Sequence, residues 1–330
     1  MADIQLRLGK DMLVLTTSAY HQLEQQGADA ERDTSLTLLV EPEVVEDIYK
    51  LEALCGVQCA VAPTAQMTPA RLAHTGLEAQ EEVLVRQAME VAAAGSFQHV
   101  LVEIGPCGLP LDASSKASLL ENRDQYARAA KLFANFEFDA FFLNGFSRIA
   151  DLKCALMGVA KVSDVPVIAS VDVNAEGMLA SFQRFGICVD ETIEEAAHVA
   201  VDLGAMAFGF CTDAAGEDAA ALADRIVRTT SLPLMAQLFV QSAGEGAYAA
   251  PYEDADAIVE AAELLRASGV QFLRACGSAP AAYAGALVAT TEALDIVTAP
   301  SSLKAGEEVE QDLDALADRL KRRVNESLGA

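Results

Sequence analysis

Apolar residues follow two alternating rhythms along this chain. Short runs rich in β-branched and aromatic residues occur at Met12–Thr17, Val57–Thr64, His99–Ile104, Ala140–Gly145, Pro166–Asp172, Ala205–Cys211, Leu232–Phe239 and Val270–Cys276. Between them, apolar positions recur every three to four residues, the spacing of a helix with one buried face. Eight such runs alternating with helices predict an α/β fold, a closed parallel (β/α)8 TIM barrel spanning 1–330 as one domain.

Local signals sharpen several helices. Thr192-Ile193-Glu194-Glu195 reads as a capping box, in which the threonine hydroxyl and the glutamate satisfy each other's orphan amides. Ile193, Ala196, Ala197, Ala200 and Leu203 then share a face, and Gly204 ends the helix. Asp254 to Ser268 repeats the design with Ile258, Ala261, Ala262 and Leu265 inward and Gly269 closing. Thr298-Ala299-Pro300-Ser301-Ser302 reads as a loop. An extra C-terminal helix over about 307–328 follows, with Val309, Leu313, Leu316, Leu320 and Val324 on one stripe. It packs on the barrel or mediates self-association into a homo-oligomer.

Composition narrows the partners. Asp and Glu number 49 against 23 Lys and Arg, a formal charge of -26 that repels phosphate backbones and anionic lipid. No nucleic acid and no membrane are therefore expected as partners. The amino terminus lacks a basic segment followed by an apolar core, and no apolar run reaches spanning length. The seven cysteines form no regular framework, which suits thiols in a reducing cytoplasm. Cys154 and Cys188 read as packing residues.

In a barrel of this kind chemistry gathers at the carboxyl ends of the strands. Candidates there are Thr16-Thr17-Ser18, Glu103 through Gly108, Asn144, Asp172, Cys211, Phe239 and Cys276. Gly105-Pro106-Cys107-Gly108 is first of all a turn, and Asp172 can equally cap the next helix. Cys211 and Cys276 are packing residues on base rates. Each closes a strand, however, which points them toward one cavity with Cys107.

Arg274-Ala275-Cys276-Gly277-Ser278-Ala279-Pro280 resembles the Gly-Gly-Cys-Cys-Gly-Thr-Thr-Pro motif of the homocysteine S-methyltransferase family. Arg71-Leu72-Ala73-His74-Thr75-Gly76-Leu77, Ile104-Gly105-Pro106-Cys107-Gly108 and Gly209-Phe210-Cys211 are similar to three further family stretches. Tyr252-Glu253 matches a tyrosine-containing loop loosely. The resemblance implies one zinc ion in the barrel mouth, held by three thiolates, that makes a substrate thiol nucleophilic at neutral pH. It carries over two metal ligands, Cys211 and Cys276, and places Thr16, Gly105, Cys107 and Asn144 around the substrate. It implies a small-molecule thiol and a methyl donor as partners, and a step of methionine biosynthesis. With the barrel using nearly the whole chain, the donor is expected to be a free small molecule or a separate corrinoid protein.

Four positions depart from the family pattern. Ala275 replaces the first cysteine of the pair, and Thr16-Thr17-Ser18-Ala19-Tyr20 replaces an aspartate-bearing opening. Asn144 stands for a glutamate that helps hold the substrate amino group, and Phe239-Val240 for an asparagine-containing loop. Three readings follow. One is a methyltransferase with a remodelled site, its zinc taking Cys107 or His21 as third ligand. Another is a zinc-free barrel that binds a small molecule or a partner protein. The last is a different reaction with Cys276 as nucleophile.

Overall fold

Strands that are apolar along nearly their whole length bury both faces, and the computed structural model shows how: one face lines a barrel interior and the other packs on helices. It describes residues 4–19, 23, 30–180, 190–241, 252 and 255–292. Eight parallel strands follow in the order β1 Leu13–Val14, β2 Cys59–Ala62, β3 His99–Ile104, β4 Ala140–Phe146, β5 Val167–Asp172, β6 Ala207–Thr212, β7 Leu234–Val240 and β8 Val270–Gly277. Each pairs with its neighbour in sequence from β2 to β8, and β1 returns to β8. A bridge from Leu15 to Cys59 joins β1 to β2, so the sheet closes into a TIM barrel. The β1 and β2 ladders are shorter than the runs expected at 12–17 and 57–64, because their outer residues bend into loops that bind other groups.

Helices cover the barrel. They are α1 Ala30–Val40, α2 Pro42–Leu54, α3 Pro69–Thr75, α4 Glu81–Ala94, α5 Lys116–Lys131, α6 Ile149–Ala160, α7 Ile193–Asp202, α8 Gly216–Thr229, α9 Ala255–Ala267 and α10 Ala281–Glu292. The capping box of α7 forms as expected, with Thr192 and Glu195 exchanging both bonds. Gly204 and Gly269 adopt φ of +75° and +86°, the left-handed stops their positions called for. The expected helix at 307–328, His21, Cys188 and Glu253 lie outside the described residues.

Two apolar cores result from the alternation along each strand. Val14, Phe141, Leu143, Phe208, Phe210 and Leu273 face outward to the helices. Leu13, Leu15, Val61, Leu101, Phe142, Met235 and Phe272 fill the barrel's interior, with Ile4 from the short turn Ile4–Arg7 joining them. This interior is apolar and fully buried at its amino end, so polar chemistry is confined to the layers above it.

Candidate active site

Above the apolar interior the inward positions turn polar. Glu103 (β3), Asn144 (β4), Ser170 (β5), Gln237 (β7) and Arg274 (β8) are joined across the barrel by hydrogen bonds. Asn144 Nδ2 donates to Glu103 Oε1 at 2.6 Å. Gln237 Nε2 donates to Asn144 Oδ1 at 2.7 Å and to Ser170 Oγ at 2.8 Å. Arg274 Nη1 reaches Gln237 Oε1 at 3.2 Å and Glu103 Oε1 at 3.4 Å, while its Nε donates to the Thr16 carbonyl at 2.9 Å. The guanidinium also stands over the Phe142 ring, 5.6 Å from its centroid.

Arg274 is 2% exposed and Glu103 6%, so this is an ion pair taken out of water. Such a pair needs further hydrogen bonds, and the amides of Asn144 and Gln237 supply one to each partner. Burial works against the charge of Arg274, but the Glu103 carboxylate overrides it and holds the guanidinium above its usual pKa. The layer is a neutral, locked floor.

One inward step toward the carboxyl ends lie Asp172, Cys211, Phe239 and Cys276. Asp172 pairs in register with Cys211, and Phe239 with Cys276. Strands β6 and β8 are separated by β7, yet the Cys211 and Cys276 thiols meet over it at 3.3 Å. The hydrogen bond shared with Cys276 and burial together push the Cys211 thiol well above its ordinary pKa. Burial, aided by the charge of Glu103, pushes the Asp172 carboxyl up to about 8. No hydrogen bond of its side chain appears among the described residues.

Loop anchors fix the rim. Gly277 turns the chain at φ +70°, and a Cβ there would lie 2.4 Å from the Val240 carbonyl, so only glycine fits between β7 and β8. Tyr252 donates to the Ala214 carbonyl at 2.6 Å, and Tyr283 of α10 donates to the Tyr252 carbonyl at 3.1 Å, tying the segments around Ala214 and Tyr252 to that helix. The backbone N–H of Thr17 donates to Glu52 of α2 at 2.9 Å, and its hydroxyl to the same buried carboxylate.

The remaining expected residues are placed as follows. Thr16 contributes its carbonyl to Arg274, and its hydroxyl accepts from the Val61 amide at 2.9 Å. Gly105 packs on the β2 loop, its amide donating to Ala65 O at 3.1 Å. Asn144 belongs to the floor. Cys107 sits instead in the layer between barrel and helices. Its thiol donates to Asn122 Oδ1 of α5 at 3.1 Å, and its amide to the Tyr126 hydroxyl at 2.9 Å. Tyr126 in turn donates to Asp151 of α6 at 2.7 Å. The structure thus brings Cys211 and Cys276 together with Asp172 and separates Cys107 from them.

The pair offers zinc two soft ligands side by side, which fits two positions of a tetrahedral site. Among the described residues no group of three His, Cys, Asp or Glu is assembled for a metal. Ala275 points outward into the helix-facing core, where a cysteine would also have to turn to reach the mouth. In the sequence Arg274 stands out only as part of its motif, and Ser170 and Gln237 do not stand out among the strand-end candidates. The available signal was their phase: Arg274 and Gln237 are polar at positions two residues from inward Cys276 and Phe239.

Comparison with known proteins agrees with this architecture. The E. coli homocysteine methyltransferase MmuM, solved in a metallated form, superposes with a TM-score of 0.67 at 17% identity, covering 85% of this chain and 96% of that one. Its oxidized form gives 0.66 at 18% identity over the same shares. A curated homocysteine S-methyltransferase of E. coli K12 is 35% identical over 86 residues, 25% of this chain and 28% of the relative. The matched stretch therefore spans little more than a quarter of that relative's length. The sequence model of the homocysteine S-methyltransferase family matches residues 13–308, nearly the whole barrel, and the chain belongs to that family.

Proposed function

We propose that this protein is an S-methyltransferase that methylates a small thiol in the mouth of the barrel. The observation that carries the reading is the convergence of Cys211 and Cys276, 3.3 Å apart, from two strands that are not paired with each other. Cys211 and Cys276 would hold a zinc ion, which supplies a lowered pKa and a fixed position to the acceptor sulfur when bound. The acceptor sulfur would take a further position of the shell.

The chain's own residues supply the other requirements. Asp172 stands beside Cys211, its carboxyl pushed up to about 8 by burial and by the charge of Glu103. Once ionised it would take the acceptor's proton as the thiol binds, the role of a general base. Phe239 flanks Cys276 and shields the reacting sulfur from water. The Arg274–Glu103 floor fixes the depth to which an acceptor can sink. The methyl donor is a small molecule or is brought by another protein, and the charge of -26 favours a cationic, sulfonium- or ammonium-type donor.

Metal analysis of protein purified without chelator tests the reading. Zinc near one equivalent, lost in Cys211→Ser and Cys276→Ser, is expected. Fully folded protein that neither carries nor takes up zinc would contradict it and favour the binding-protein alternative.

A further inference from the structure

The mouth's floor contains one buried anion and one buried cation, and each is the other's partner. Glu103 Oε1 accepts from Asn144 at 2.6 Å and from Arg274 at 3.4 Å. Arg274 enters from β8, across the barrel from β3, and is held in place by the Thr16 carbonyl and by Gln237. An ammonium group of a ligand needs an ionised carboxylate when it leaves water, or its desolvation goes uncompensated. The carboxylate of the floor already has its cation, supplied by the protein itself. Displacing Arg274 would leave a guanidinium buried without a counter-charge, which is costlier than leaving the ligand in water.

Resting on the reading of the mouth as a thiol site, we propose that Arg274 determines acceptor specificity. Its guanidinium fills the place of an incoming cation, so the cavity takes a thiol acceptor without an ammonium group and rejects amino thiols. Arg274 acts here by occupying Glu103, and is a positioning residue rather than a catalytic one. Asn144 and Gln237 keep that pairing rigid, since Asn144 bonds two members of the floor and Gln237 three. The consequence is a charge filter built on one strand position, two residues from Cys276.

Calorimetric titration of the full-length protein with 4-mercaptobutyrate and homocysteine, which differ only in the amino group, tests this directly. We expect 4-mercaptobutyrate to bind about tenfold or more tightly than homocysteine, the size of one charge-assisted contact left unmade. In Arg274→Met the freed Glu103 accepts the ammonium, and the preference shifts toward homocysteine by about tenfold; in the double variant Arg274→Met/Glu103→Gln it does not. Equal or tighter binding of homocysteine by the wild-type protein overturns the inference, as does homocysteine binding that Asp172→Asn abolishes. Should neither thiol bind, the thiol-site reading itself fails, and the inference with it. If Arg274→Met does not fold, the wild-type ratio alone decides.

Discussion

Asp172 is held in a state that works against folding, and replacing it should stabilise the protein in a pH-dependent way. Its carboxyl is 9% exposed, beside the charge of Glu103, and its pKa rises to about 8 in the folded chain. In the unfolded chain it returns to about 3.9. The folded state therefore binds the extra proton, so the favourable contribution is complete below about pH 4 and is lost as pH rises through about 8. At pH 7 the unfolded carboxylate must be protonated to fold, at about 1.4 kcal/mol per unit over about three units, or roughly 4 kcal/mol. At pH 5 the same sum gives about 1.5 kcal/mol. Asn is neutral at both pH values and nearly isosteric. Urea unfolding of metal-free protein at pH 5, 6 and 7 should show Asp172→Asn more stable than the wild type. The margin should widen by roughly 2–3 kcal/mol from pH 5 to pH 7. A margin that is flat across this range, or a less stable variant, would refute the assignment of a buried, proton-holding carboxyl.

Other outcomes follow from the same geometry. Asp172→Asn should lower the rate of methyl transfer by about a hundredfold or more, because it removes the base beside Cys211. Arg274→Met leaves Glu103 buried without its partner and should cost about 3–5 kcal/mol in urea unfolding, partly recovered by adding Glu103→Gln. Gly277→Ala forces a side chain onto a backbone at φ +70° against the Val240 carbonyl, and should lose on the order of 2 kcal/mol or more by thermal unfolding. Tyr126→Phe removes the hydroxyl that joins Cys107 to Asp151, and should cost about 1–3 kcal/mol of stability without altering acceptor preference.

The barrel was legible because its signals are local. The short apolar runs at β3 through β8, the capping box at Thr192, and glycines at 204 and 269 each declare themselves within a few residues. Cys211 and Cys276 were also legible as a pair, since each ends a strand in the inward phase. Cys107 was not, because Gly105-Pro106 turns the chain after β3 and cancels the strand's phase; its thiol then finds Asn122 on α5. The Arg274–Glu103 pair was hidden for another reason. Its members are 171 residues apart, and only closure of the sheet through β1 brings their side chains together. Asn144 looked like a substrate contact when considered alone, yet in the folded chain its amide is committed to Glu103 and Gln237.

The account rests on methyl transfer to a sulfur positioned by Cys211 and Cys276. Mass spectrometry after incubating the zinc-supplemented protein with 4-mercaptobutyrate and a panel of trideuteromethyl donors (a sulfonium, a betaine and methylcobalamin) tests it most directly. The expected result is a trideuteromethyl thioether with at least one donor, reduced about a hundredfold or more in Cys276→Ser, as for loss of an interaction made in the transition state. Absence of labelled thioether with every donor and with homocysteine as well, or an undiminished yield from Cys276→Ser, would contradict it.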